Sequence, residues 1–89
     1  MNVERSVRLV NKLGLHVRPS AKIVETVTKY GSEVLISNGA QQANAKSIIE
    51  LLTLAAAYDS LVTIKAEGPD ADKVVDEIEQ VIKSKFGEE

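Results

Sequence analysis

His16 is the only histidine in the chain, and Gly14-Leu15-His16-Val17-Arg18-Pro19-Ser20 puts it where a turn becomes a helix. An imidazole is mostly neutral near pH 7, so an unprotonated ring nitrogen can attack phosphorus. The charge of a phosphorylated ring would lie beside the first helical turn. There the N–H groups of Val17 and Arg18 lack intrahelical acceptors, and the positive end of the helix dipole favours anions. Arg18 adds a planar guanidinium that can hold phosphate oxygens through two hydrogen bonds. Pro19 stiffens the turn, and Gly14 permits the backbone shapes that a chain doubling back requires. The same residue types also fit a histidine that only caps a helix, an arginine that is only a surface charge and a proline that only starts a helix. Spacing alone leaves these readings open.

Other chemistries lack their residues. One histidine and no cysteine supply no metal-ligand cluster, so neither a metal nor another cofactor is expected. No Gly-x-Ser-x-Gly segment and no glycine-rich phosphate loop is present, and the serines have no second histidine to form a triad. A net charge of -2 argues against general nucleic-acid binding, which needs a basic stripe. The charge is uneven: Arg5, Arg8, Lys12, Arg18, Lys22 and Lys29 lie in the first third, whereas acidic residues gather after Glu67. Both solvated surface and partner steering fit that pattern. No apolar run is long enough to cross a bilayer, and Met1-Asn2-Val3-Glu4-Arg5 does not open like a signal peptide. The expectation is a soluble, unprocessed, cytoplasmic protein without membrane insertion, and a monomer.

The elements that must position His16 follow from length and periodicity. With 89 residues, 44% of them hydrophobic, the chain suits one domain spanning residues 1–89. Two tyrosines, one phenylalanine and no tryptophan predict an aliphatic core. Val3 to Val10 alternates as a strand with Val7 and Leu9 on one face. A helix runs from Val17 to about Lys29, stopped by Gly31, with Ser20, Ile23, Val24 and Val27 on its core face and Val17 and Ala21 at the edge. Asn38-Gly39 predicts a hairpin between strands at Glu33–Ser37 and Ala40–Ala43. Ser47 opens a short helix as N-cap, with Glu50 three residues on as in a capping box. Leu61 to Glu67 alternates with Val62, Ile64 and Ala66 inward. Gly68-Pro69-Asp70 then starts a helix whose apolar stripe is Ala71, Val74, Val75, Ile78, Val81 and Ile82. The order β-α-β-β-α-β-α predicts an α/β two-layer sandwich of four strands with helices on one side.

The segment from Gly14 to Ser20 resembles the active-site signature of the HPr family. These are the histidine-containing phosphocarriers of the bacterial phosphoenolpyruvate-dependent sugar phosphotransferase system. Asn44-Ala45-Lys46-Ser47-Ile48-Ile49-Glu50-Leu51-Leu52 is similar to the family's regulatory-serine region, and length and element order agree from end to end. The resemblance implies that His16 accepts phosphate from phospho-Enzyme I, on Nδ1, and passes it to enzyme IIA domains of sugar permeases, with Arg18 neutralising the phosphate. It also implies a stoichiometric carrier rather than an enzyme, and an antiparallel sheet in strand order 1-4-2-3 with three helices on one face. Val17 and Ser20 stand where the family often has alanine. Neither change removes a reacting group, and tuned partner contacts are expected.

Ser47 reads as an N-cap from its own residues. The resemblance adds phosphorylation by an ATP-dependent HPr kinase/phosphorylase, which would change the docking surface rather than unfold the helix. In the helix after it, Leu51, Leu54 and Ala55 form one side for the core. Ile48, Ile49 and Leu52 occupy an adjoining sector, giving an apolar arc broad for a small surface helix. Burial of all six would explain the arc too; the resemblance makes Ile48, Ile49 and Leu52, extended by Val17 and Ala21, a contact patch for partners. Two rival functions stay in view. One is a nitrogen-related phosphocarrier donating to a regulatory IIA protein. The other is a binding regulator acting through Ser47 with His16 silent, against which the intact Gly-Leu-His-x-Arg-Pro argues.

Overall fold

In the computed structural model, residues 1–87 are described. The elements run β1 (Asn2–Arg8), α1 (Val17–Thr28), β2 (Glu33–Asn38), β3 (Gln41–Asn44), α2 (Ile48–Leu54), β4 (Leu61–Glu67) and α3 (Ala71–Lys83), followed by a single 3-10 turn at Lys85–Gly87. This is the expected βαββαβα order. The four strands form one antiparallel sheet in the order β1-β4-β2-β3, as the resemblance implied.

Alternation along the strands decides which face is covered. Val7, Val34, Ile36, Val62, Ile64 and Ala66 are buried, and their neighbours in sequence are mostly exposed. The helices cover that inner face: α3 packs on β1 and β4, α2 reaches β3 and β2, and α1 lies against both α3 and α2. The α3 stripe is as its periodicity demands, with Ala71, Val74, Val75, Ile78 and Ile82 buried and Val81 at the margin. Phe86, left-handed at φ 57, folds its ring into the same aliphatic core.

Several boundaries differ from the sequence expectation, each for a local reason. The first strand ends at Arg8, and Leu9 stays buried while exchanging backbone bonds with Asp59 and Ser60 in the loop before β4. The hairpin turns on Gly39-Ala40, because Asn38 pairs with Gln41. Gly39, with φ +65, takes the first linking position, so β3 is shifted by one residue to Gln41–Asn44. Helix α1 closes at Lys29, whose N–H donates to the Thr26 carbonyl, while the Tyr30 N–H donates to that of Val27. Gly31 does not wind left-handed; its N–H instead donates to Asp70 Oδ2 at 2.9 Å. Val24 packs half-buried against the core, and Thr26 is buried on α1 as well, its hydroxyl donating to the Lys22 carbonyl. Ala55 is not a core residue: it is the exposed, left-handed C-cap of α2, with φ 52.

Polar clamps hold α3 to the rest. Arg5 bridges β1 to Asp76 at 2.5 Å and Glu79 at 2.9 Å. Lys29 and the Tyr30 hydroxyl both reach Glu77, each at 2.5 Å. Asp70 accepts from the Ser32 hydroxyl as well as from Gly31. These donors hold the Asp70, Glu77 and Glu79 carboxyls below their usual range: Ser32 first for Asp70, Lys29 first for Glu77, and Lys83 first for Glu79. The Tyr30 hydroxyl, donating to Glu77, is pushed up. Among the described residues no helix is long and apolar enough to cross a membrane.

Candidate functional site

The loop between β1 and α1 is built before the helix starts. Gly14 N–H donates to the Asn11 carbonyl at 3.2 Å, while Asn11 Nδ2 returns to the Gly14 carbonyl at 2.8 Å. The four residues Asn11 to Gly14 thus close into a small turn from both sides. Gly14 must be glycine twice over. Its φ is +63, and a Cβ there would overlap the Ala56 carbonyl oxygen and lie 2.9 Å from Ala57 Cα. Leu15 N–H then donates to that same Ala56 carbonyl at 2.9 Å, and the Leu15 side chain is buried. The segment after α2 therefore straps the loop between β1 and α1 in place.

His16 follows as the N-cap residue of α1, extended at φ -93 and ψ -169, and its carbonyl accepts the first helical bond from Ser20 at 3.0 Å. Its ring is half-buried and makes no cap bond to its own helix. Val17 and Arg18 are the first two helical residues, and Pro19, the third, has no N–H to offer. Two backbone donors, those of Val17 and Arg18, are left beside the imidazole at the positive end of α1 without an acceptor among the described residues. The Arg18 side chain is exposed and makes no ion pair among the described residues. Lys12, Lys22 and Lys46 are likewise exposed without an ion pair there, whereas Arg5, Arg8, Lys29 and Lys65 are matched by carboxylates. Ser20 is fully buried one turn on, its hydroxyl without a hydrogen-bond partner among the described groups.

Ser47 caps α2, its Oγ accepting from Glu50 N–H at 3.1 Å. The return bond of a capping box is redirected: Glu50 Oε1 accepts from Asn44 N–H at 2.9 Å, and Ser47 N–H donates to the Asn44 carbonyl. Of the apolar arc, only Leu51 and Leu54 are buried. Ile49 is 76% exposed and Val17 62%, Ile48 is exposed, and Leu52 and Ala21 are half-buried. Because α1 and α2 pack side by side, these residues lie on adjoining helices. Asn11, Leu13 and the strap at Ala56 were not foreseen. Leu13 is 74% exposed at the tip of the loop. An asparagine three residues before a glycine is a turn signal that could have marked Asn11, but nothing local to the sequence announces Ala56.

Fold and site together define a small open-faced α/β domain built around one histidine at the mouth of its first helix. Residues 3–84 match the family model described as PTS HPr component phosphorylation site. The chain is 38% identical to phosphocarrier protein HPr of Cupriavidus necator, over 97% of each chain. It is 35% identical to phosphocarrier protein NPr of Shewanella violacea, over 97% of this chain and 94% of that one. The crystal structure of HPr-C-His from Thermoanaerobacter tengcongensis superposes with a TM-score of 0.93 at 36% identity, covering 98% of both chains. The chain belongs to the HPr family, the phosphocarrier proteins of the phosphotransferase system. Membership implies a phosphocarrier role and interaction with phosphotransferase enzymes.

Proposed function

We propose that the protein carries a phosphoryl group on His16 Nδ1 from phospho-Enzyme I to enzyme IIA domains of sugar permeases. The observation that carries this reading is the placement of His16 as N-cap of α1, beside the Val17 and Arg18 N–H groups. In the forward step the neutral ring nitrogen forms the N–P bond as the donor's bond to phosphorus breaks, and the donor retains that electron pair. Arg18 and the two amides take up the charge that arrives. Discharge to the IIA domain is the same step reversed, so the protein is used and regenerated in stoichiometric turns. No metal or cofactor acts on the carrier itself.

Incubation with Enzyme I, phosphoenolpyruvate and magnesium is expected to place acid-labile phosphate on the wild-type protein and none on His16→Ala. Equal labelling of the two would refute the assignment. Docking is assigned to Val17, Ala21, Ile48, Ile49 and Leu52, supported by the exposure of Ile49 and Val17. Ile49→Glu and Leu52→Glu are expected to weaken transfer by raising the half-saturating concentration of Enzyme I.

A second reading concerns the acceptor, and similar identities to an HPr and an NPr favour keeping it. In that case the phosphate goes to a regulatory IIA protein, and parallel assays with both kinds of IIA would separate the two. Ser47 is assigned as a regulatory site for an HPr kinase/phosphorylase, supported by its position at the start of the docking helix. Ser47→Asp is expected to slow transfer from Enzyme I while leaving the fold intact.

A further inference from the structure

The geometry points to Asn11 as the positioning residue for phosphoryl transfer, acting through the Gly14 carbonyl on the backbone of His16; this rests on the reading of His16 as acceptor. Asn11 is 1% exposed, so no docked partner can reach its side chain. Its Nδ2 donates to the Gly14 carbonyl at 2.8 Å, and the same oxygen accepts the His16 N–H at 3.0 Å. One carbonyl thus joins the buried amide to the residue that reacts. Gly14 N–H closes the turn onto the Asn11 carbonyl, and the His16 carbonyl passes the constraint to Ser20 and the helix.

Gly14 needs such a hold. It has φ +63 and no side chain, and although the Ala56–Ala57 strap lies against it, the strap's hydrogen bond goes to the next residue, through Leu15 N–H. Asn11 fixes the Gly14 peptide itself, and so the direction in which His16 enters the helix. An imidazole that must set its phosphoryl group against the Val17 and Arg18 amides tolerates little rotation. A misplacement of about 1 Å in such a site costs on the order of 10²-fold in rate.

The arrangement makes Asn11 different from a residue that only stabilises the fold. Asn11→Asp keeps the shape but sets a carboxylate oxygen against the Gly14 oxygen; Asn11→Ser keeps a donor on a shorter arm. Single-turnover transfer from phospho-Enzyme I, charged with phosphoenolpyruvate and varied in concentration, would be measured for both variants and the wild type, with thermal midpoints alongside. For Asn11→Asp the saturating rate is expected to fall by about 10–100-fold, with the half-saturating concentration changed by less than about twofold and the protein folded at the assay temperature. Asn11→Ser is expected to recover part of that rate. An unchanged saturating rate in folded Asn11→Asp would overturn the proposal. So would a change confined to half-saturation, or losses that merely track unfolding in both variants. Failure of the underlying reading would show separately, as wild-type protein that takes up no phosphate.

Discussion

At the residue scale the candidate site is a short run of backbone with one imidazole ring, and its tolerances differ sharply between neighbours. Arg18 is exposed and unpaired among the described residues, so its loss should touch chemistry and not folding. Gly14 is the opposite case, since a methyl group there meets both a left-handed φ and the Ala56 carbonyl. Gly14→Ala is therefore expected to lower stability by about 1–3 kcal/mol or more, read by denaturant unfolding, and to reduce phosphate uptake together with it. His16, Arg18 and Pro19 were legible because their arrangement is local and a helix start has fixed electrostatics. Asn11 and Ala56 were not. Their roles depend on which carbonyl faces which amide across a loop, and residue type does not encode that.

At the element scale α2 shows how capping and strain divide a short helix. Ser47 is the N-cap acceptor for Glu50, so Ser47→Ala should cost about 1 kcal/mol in thermal or denaturant unfolding, whereas Ser47→Asp supplies another cap acceptor and should cost little. The two variants separate the structural role of the residue from any effect of added charge on transfer. At the other end, Ala55 is held at φ 52 without being glycine. The left-handed penalty of about 1–2 kcal/mol exceeds the entropic cost of glycine, about 0.5–1 kcal/mol, so Ala55→Gly should stabilise by about 0.5–1 kcal/mol. Equal unfolding midpoints would show that the turn is unstrained. Periodicity identified the arc of α2 but placed Ala55 in the core, because a helical wheel assumes that the helix continues. It stops at Leu54.

At the scale of the whole molecule, stability should form a plateau bounded by the carboxyl clamps and by Tyr30. Asp70, Glu77 and Glu79 have folded pKa values below their usual ones, so their contribution is present above the ordinary carboxylate range and is lost as pH falls toward those lowered values. Tyr30 is raised, so its contribution holds below the ordinary tyrosine pKa and disappears as pH rises through the raised one. Thermal unfolding across pH should show both shoulders, and Glu77→Gln should flatten the acid limb and weaken the alkaline one, since burial and Asp70 still raise Tyr30. A Glu77→Gln profile parallel to wild type would contradict this assignment. The two-layer architecture was readable from element order and from the inward alternation of Val62, Ile64 and Ala66. Strand order was not, since periodicity says which face of a strand is buried and nothing about its neighbour; that order came from the family resemblance.

The sheet order also bears on how the chain reaches its fold. β4, residues Leu61–Glu67, lies between β1 and β2 and is the strand that joins them, pairing from Asn2↔Glu67 to Arg8↔Leu61 on one side. While the chain is being synthesised, β1 has no strand to pair with until β4, which begins at Leu61, is made, and the loop bearing His16 hangs from an unpaired strand until then. His16 is therefore made early, but the strand that leads into its loop is held only late, once β4 is in place.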